Sequence, residues 1–385
     1  MKKFILLIIS LFLFIGTLKA EVTAPVNLKS ESGIVIEAST NKVLFEKDSE
    51  KKMAPASMTK IMTMLLIEEA LEEKTISLED QVTISQNAAG MGGSEVYLEA
   101  GKTASVKELL TAIAIGSAND AAVAMAEKVG GSEENFVRMM NDKAKELGAF
   151  NTTFKNPHGL DEEGHLTTAK DMAIIASALV KYEDILKITS TYETTFTHQN
   201  GKSIWLVNTN SLIKFYNGLD GLKTGFTNSA GYCLTGTMKR NDMRLITVVM
   251  NAKVKEDRNT DTINMMEYAF SMYYKNTILS KDTVLGTMFI DNSKTREVKY
   301  YLEKDASVVL DKNTRDITYN YDIVLDEVKA PLKVGDKVGT LTLHFNNEDL
   351  MYNVVIHEEI KKAGYFTRLF NYLKDILSGN VNVIN

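Results

Sequence analysis

The sequence predicts an α/β (α+β) large domain built on an antiparallel sheet flanked by helices. A small all-β domain and an amphipathic C-terminal helix follow it. Three observations predict this order. β-rich runs stand at 33–46 and again at 221–252, with helical periodicity between them. From about 283 to 357 the apolar residues alternate with period two. From Tyr365 onward an apolar stripe recurs at helical spacing.

The N-terminus reads as an export signal. Lys2 and Lys3 precede an apolar run from Phe4 to Ile15, interrupted only by Ser10, and the small residue Ala20 follows. The run is short of the ~20 residues that a membrane span needs. Residues 1–20 are therefore expected to be a signal peptide cut after Ala20, with a retained anchor as the alternative. Fold reasoning begins beyond it.

Gly33-Ile34-Val35-Ile36-Glu37-Ala38 and Val43-Leu44-Phe45-Glu46 flank the polar turn Ser39 to Lys42, a β-hairpin. Lys60 to Glu73 has helical spacing and follows Pro55. Val106 to Ile115 and Ala121 to Val129 read as helices around the break Gly116-Ser117-Ala118-Asn119, and Asn135 to Leu147 as another. Gly221 to Thr227, Gly231 to Lys239 and Leu245 to Ala252 form a meander, and Thr262 to Tyr274 returns to helix. The expected division is a catalytic domain at 21–278, an all-β domain at 279–358, and an amphipathic membrane-anchoring helix and tail at 359–385. In that last segment Tyr365, Phe366, Leu369, Phe370, Leu373, Ile376 and Leu377 share one face. Such a stripe is too short to span and suits a helix lying in a membrane interface, with a helix packed on the protein as the alternative.

The formal charge of -6 is spread without a basic block, which leaves nothing to recognise nucleic acid. Cys233 is the only cysteine, so neither an intramolecular disulfide nor a cysteine-ligated zinc site exists.

A serine hydrolase needs a nucleophile, a base and donors for an oxyanion. No Gly-x-Ser-x-Gly elbow is present, and the five histidines form no helical His-x-x-x-His pair. His158 and His165 read as loop-ordering residues. Lysine is the remaining base. Ser-x-x-Lys at a helix start places hydroxyl and amine on one face, a turn apart. Four segments match: Ser39/Lys42, Ser49/Lys52, Ser57/Lys60 and Ser211/Lys214. Chance supplies about two, so context decides. The first lies in the hairpin turn, the second in a charged linker, the fourth before a loop. Only Ser57 opens an apolar-faced helix, directly after Pro55-Ala56, where its own N–H is free for an oxyanion.

Ser117-Ala118-Asn119 fills the break between two helices, although Ser-x-Asn recurs at Ser85 and Ser39. Lys223-Thr224-Gly225 occurs once, on a predicted strand, and about one chain in ten of this length would carry it by chance. The three clusters in this order form the signature of penicillin-recognising serine enzymes.

With Ala54-Pro55-Ala56-Ser57-Met58-Thr59-Lys60, Gly116-Ser117-Ala118-Asn119-Asp120-Ala121-Ala122, His158-Gly159-Leu160-Asp161, Gly221-Leu222-Lys223-Thr224-Gly225 and Ala230-Gly231-Tyr232-Cys233, the chain resembles the low-molecular-mass penicillin-binding proteins. These are D-alanyl-D-alanine carboxypeptidases of peptidase family S11. The resemblance covers nearly everything after the signal and implies a β-lactamase/DD-peptidase-like fold for the large domain. It implies that Ser57 attacks the carbonyl between the two D-alanines, that Lys60 takes its proton, and that Ser117 relays a proton to the leaving group. Asn119 would orient Lys60 and the substrate amide. Lys223 would add positive charge and attract the terminal carboxylate, Thr224 would bind it, and Arg258 would assist. The last role competes with that of an ordinary surface-helix arginine. The N–H groups of Ser57 and Phe226, beside Gly225, would form the oxyanion hole. Cys233 reads as structural.

The implied partners are the peptidoglycan pentapeptide stem ending in D-Ala-D-Ala, β-lactams as covalent inhibitors, and the membrane surface through the C-terminal helix. No metal or cofactor is implied, and the location is the outer face of the cytoplasmic membrane. No Glu-x-x-Leu-Asn segment offers the glutamate that activates deacylating water in class A β-lactamases. That speaks against the rival reading of a β-lactamase. A non-catalytic β-lactam sensor or wall-binding protein is the other rival; a sensor is expected to carry spanning helices coupled to a cytoplasmic domain, and this sequence shows none.

Overall fold

The computed structural model describes residues 26–370 apart from 296, 315, 316, 347 and 368. The signal at 1–20 and the apolar residues Leu373, Ile376 and Leu377 lie outside the described residues.

The first and last strands of the large domain meet, as its two β-rich ends require. Ser32–Glu37 pairs antiparallel with both Val43–Lys47 and Met243–Ala252, and the meander continues through Gly231–Arg240 to the edge strand Leu219–Thr227. Both faces of this sheet are covered. Ile34, Ile36, Ile246 and Val248 face a helical cluster, while Val35, Leu245 and Val249 face Met265, Met266 and Ala269 of the helix Lys255–Met272. Two buried faces explain why the strand at 245–250 is almost continuously apolar instead of alternating.

The helical side is organised around Lys60–Glu72. Expected to carry one apolar face, this helix is in fact buried nearly all round, from Lys60 to Glu68. It packs among Asn119–Gly130, Glu133–Glu146 and Ala169–Leu179, which accounts for its nearly uninterrupted apolar sequence. A tighter 3₁₀ turn, Ala56–Thr59, precedes it. Ser57 therefore stands on the turn ahead of the helix, and at three residues per turn its side chain eclipses that of Lys60.

The helix expected to run to Tyr274 ends at Met272, and Tyr273–Leu279 is a strand paired with Ala306–Asp311. A five-stranded antiparallel sheet completes the β-rich region, in the order Gly286–Phe289, Glu297–Leu302, Glu348–Ile356, Lys337–Phe345 and Tyr319–Leu325. On its outer face His344 joins three strands: Nδ1 lies 2.7 Å from Asp349 Oδ1 and Nε2 3.1 Å from Asp322 Oδ2. Hydrogen bonds to Asp349 and then Asp322 raise the imidazole above its ordinary value of 6.5. A raised folded-state value means that this contribution to stability is complete below 6.5 and fades as pH rises through the folded value. The NMR titration of His344 is expected to have its midpoint above 6.5, and His344→Gln to lower the melting temperature at pH 6 more than at pH 9. An equal loss at both pH values would contradict the assignment.

Candidate active site

Each of the four Ser-x-x-Lys serines has a distinct partner. Ser39 Oγ donates to the Glu37 carboxylate at 2.8 Å, Ser49 Oγ donates to Glu46 at 2.5 Å, and Ser211 Oγ accepts from Asn259 Nδ2 at 3.4 Å. Ser57 alone meets its lysine: Lys60 Nζ lies 3.2 Å from Ser57 Oγ.

Lys60 is fully buried, and its amine has two further partners, Asn119 Oδ1 at 2.7 Å and the His158 carbonyl oxygen at 2.6 Å. Both are acceptors. A neutral amine has two N–H groups for them and one lone pair left for the Ser57 hydroxyl proton, so the surroundings match the unprotonated form. Burial first, and the charge of Lys223 second, hold Lys60 well below its ordinary value of 10.5, against the opposing pull of Asp120.

The Ser117-Ala118-Asn119 break is positioned by backbone geometry. A π-turn at Ala112–Gly116 ends with Ser117 in the left-handed region at φ 61°. That reversal buries both Ser117 and Asn119. Asn119 is fixed from two sides: its N–H donates to Ser94 O at 2.7 Å and its Nδ2 to Gly92 O at 2.7 Å, leaving Oδ1 for Lys60. The neighbouring Asp120 carboxylate accepts from the N–H groups of Val96 and Leu98, which ties the segment around 92–98 to the site as a wall. Ser117 Oγ makes no hydrogen bond among the described residues, so its proposed relay needs a substrate to complete it.

The edge strand Leu219–Thr227 forms the opposite wall. Lys223 is buried, with Nζ 3.0 Å from the Thr224 carbonyl oxygen. Burial, and then Arg258, brings its ammonium down to about 7. Thr224 Oγ1 donates to Thr209 Oγ1 at 2.7 Å. Gly225 lies against the turn Ala56–Thr59, where a Cβ would press on Pro55 O and Ala56 Cβ, so a side chain here would push strand and turn apart. The ring of Phe226 is half exposed and rests on Tyr232 with centroids 4.4 Å apart. Arg258, weighed as a surface arginine, is buried at 3% exposure, and burial lowers its guanidinium to about 10. Its Nε and Nη2 donate to Asn259 Oδ1. Cys233 is buried in the adjacent strand, its thiol pushed up to about 11 by burial, which fits a structural residue.

Sequence reasoning missed the floor of the site. The His158 carbonyl and Thr209 carry no motif of their own, apart from the hint in the His158-Gly159 pair; Asp120 stands in the segment after Ser117-Ala118-Asn119, but its role there has no signal in the sequence. Gly159, at φ 91°, is required because a Cβ would overlap the Ala56 carbonyl.

Comparison with known proteins completes the picture. Residues 19–254 match the peptidase S11 family model, described as D-alanyl-D-alanine carboxypeptidase. The chain belongs to peptidase family S11. Membership makes this S11 chain a serine-type D-alanyl-D-alanine carboxypeptidase, a hydrolase acting in cell-wall metabolism. Residues 273–362 match the C-terminal domain of penicillin-binding protein 5. The S11 chain is 45% identical to the D-alanyl-D-alanine carboxypeptidase DacF of Bacillus subtilis over 90% of each chain. It is 32% identical to DacC of Escherichia coli over 94% of this chain and 92% of that one. Among solved structures it resembles a peptidoglycan synthesis regulatory factor (PBP3) from Streptococcus pneumoniae, with a TM-score of 0.68, 30% identity, and coverage of 87% and 100%. Penicillin-binding protein 5 from Haemophilus influenzae gives a TM-score of 0.70 at 27% identity, covering 88% and 99%. These neighbours share the β-lactamase/DD-peptidase-like architecture predicted from the sequence.

Proposed function

We propose that this S11 chain removes the terminal D-alanine from peptidoglycan pentapeptide through an acyl-enzyme on Ser57. The observation that carries the reading is the buried Lys60 amine, whose two acceptors leave its lone pair for the Ser57 hydroxyl. Ser57 Oγ attacks the carbonyl carbon between the two D-alanines as its proton passes to Lys60. The C–N bond breaks, the departing D-alanine nitrogen gains a proton relayed by Ser117, and water then hydrolyses the ester. The N–H groups of Ser57 and Phe226 stabilise the oxyanion, a contribution of roughly 3–4 kcal/mol per donor. Lys223, Thr224 and Arg258 grip the free carboxylate, and Asn119 orients the amide.

A β-lactam follows the same first step, but its leaving nitrogen stays tethered. Without a glutamate devoted to the deacylating water, the penicilloyl ester is long-lived. The family's substrate class places the reaction outside the cytoplasm. No described helix is long and apolar enough to cross a membrane. Tyr365, Phe366, Leu369 and Phe370 all project into solvent, which supports a C-terminal helix lying in the membrane interface.

The carboxylate grip is testable with diacetyl-L-lysyl-D-alanyl-D-alanine and its C-terminal amide. Release of D-alanine from the free acid, with at least roughly 100-fold slower cleavage of the amide, is expected for a charged pair lost in a buried site. Equal rates on the two peptides would contradict the reading.

A further inference from the structure

The loop from Lys155 to His165 reaches the nucleophile through a chain of hydrogen bonds that no motif encodes. The N–H of Lys155 donates to His165 Nδ1 at 3.0 Å, which leaves the ring proton on Nε2. Nε2 lies 2.8 Å from Thr59 Oγ1 and donates to it. The Thr59 hydroxyl, its acceptor side so occupied, donates to the Ala56 carbonyl oxygen at 2.8 Å. From the imidazole onward every member is buried: His165 is 3% exposed, Thr59 0% and Ala56 1%. Phe154 holds the imidazole edge-on, with ring centroids 5.9 Å apart.

The end of the chain matters most. Ala56 has a φ of 47°, a left-handed conformation that an alanine keeps only when its surroundings impose it. Its carbonyl belongs to the same trans peptide plane as the N–H of Ser57, and the two groups point in opposite directions. Fixing the carbonyl of Ala56 fixes the direction of the Ser57 N–H. Gly159 closes on that carbonyl from the same loop, and Gly225 presses on the turn from the strand. The turn has no other side-chain hydrogen bond to this carbonyl among the described residues.

We propose that His165, acting through Thr59, is a positioning residue that aims the Ser57 N–H at the developing oxyanion. The inference rests on the reading of Ser57 as nucleophile and oxyanion donor. It goes beyond loop ordering, because it assigns the effect to the transition state instead of to stability or substrate binding.

The test is pre-steady-state acylation by benzylpenicillin, scored per titratable active site, for wild type, His165→Ala, Thr59→Val, Thr59→Ser and the double variant. Misaiming one donor is expected to slow the acylation step roughly 10- to 100-fold while the dissociation constant of the non-covalent complex stays within about twofold. Thr59→Ser, which keeps the hydroxyl, should recover most of the rate. The double variant should lose no more than the worse single one, because both cut the same chain. Wild-type acylation rates in Thr59→Val and His165→Ala, losses that multiply, or losses confined to the dissociation constant would overturn the proposal. If His165→Ala does not fold, the contrast between Thr59→Val and Thr59→Ser decides alone. Failure of the wild type itself to be acylated on Ser57 would instead refute the functional reading.

Discussion

Ser57→Ala is expected to abolish both release of D-alanine and covalent labelling by penicillin, a loss on the order of 10⁴-fold or more in rate. No other Ser-x-x-Lys serine is available as a substitute, since Ser39 and Ser49 donate to carboxylates and Ser211 lies beside Asn259. The fold should survive. Ser57 is only half buried, and its hydroxyl has one side-chain partner, so the stability change should stay within about 1 kcal/mol. A stable variant without activity separates chemistry from folding; residual acylation above a few per cent would require another nucleophile.

Lys60→Met is the second large effect. It removes the base while keeping the length of the side chain, and acylation should fall roughly 10²- to 10⁴-fold, the range of a general base. It also strands two buried acceptors, Asn119 Oδ1 and the His158 carbonyl, so some loss of stability is expected. The pH dependence in the wild type has a definite sign. Only neutral Lys60 accepts the proton, so acylation is lost as pH falls through the folded-state value, which lies well below 10.5, and it declines again as the Lys223 ammonium that grips the carboxylate is lost above about 7. Stability runs the same way. Between the depressed folded value and 10.5 the unfolded chain binds more protons at this lysine, so unfolding becomes harder as pH rises across that window. Lys223 adds to the trend from about 7 upward. Wild-type stability that failed to rise from pH 7 to 9 relative to Lys60→Met would oppose the Lys60 assignment.

Much of this site is legible in the residues. Pro55 before Ser57, the break at Ser117-Ala118-Asn119 and the single Lys223-Thr224-Gly225 each mark a local backbone feature, and the fold brings those features to one cleft. What stays hidden depends on partners distant in sequence. The His158 group that meets Lys60 is a backbone carbonyl, and every residue has one; only the path of the loop selects it. His165 looks like any loop histidine until Thr59 is found 106 residues away. Helical periodicity extends through Tyr273-Tyr274, yet a strand forms there because of its pairing with Asp311 and Leu310, which local periodicity does not contain. The 3₁₀ turn at Ala56–Thr59 is indistinguishable in sequence from the first turn of a helix, since both conformations place Ser57 and Lys60 together. Arg258 shows the converse: an apparently ordinary helix arginine is buried by the sheet it faces.

The central claim is that one hydroxyl is activated by a desolvated amine. Intact mass after benzylpenicillin, followed by peptide mapping of the adduct, tests it most directly. A single penicilloyl group is expected on the peptide that contains Ser57, formed in wild type and absent from Ser57→Ala. An adduct on a different serine, or none at all on folded wild-type protein, would contradict it.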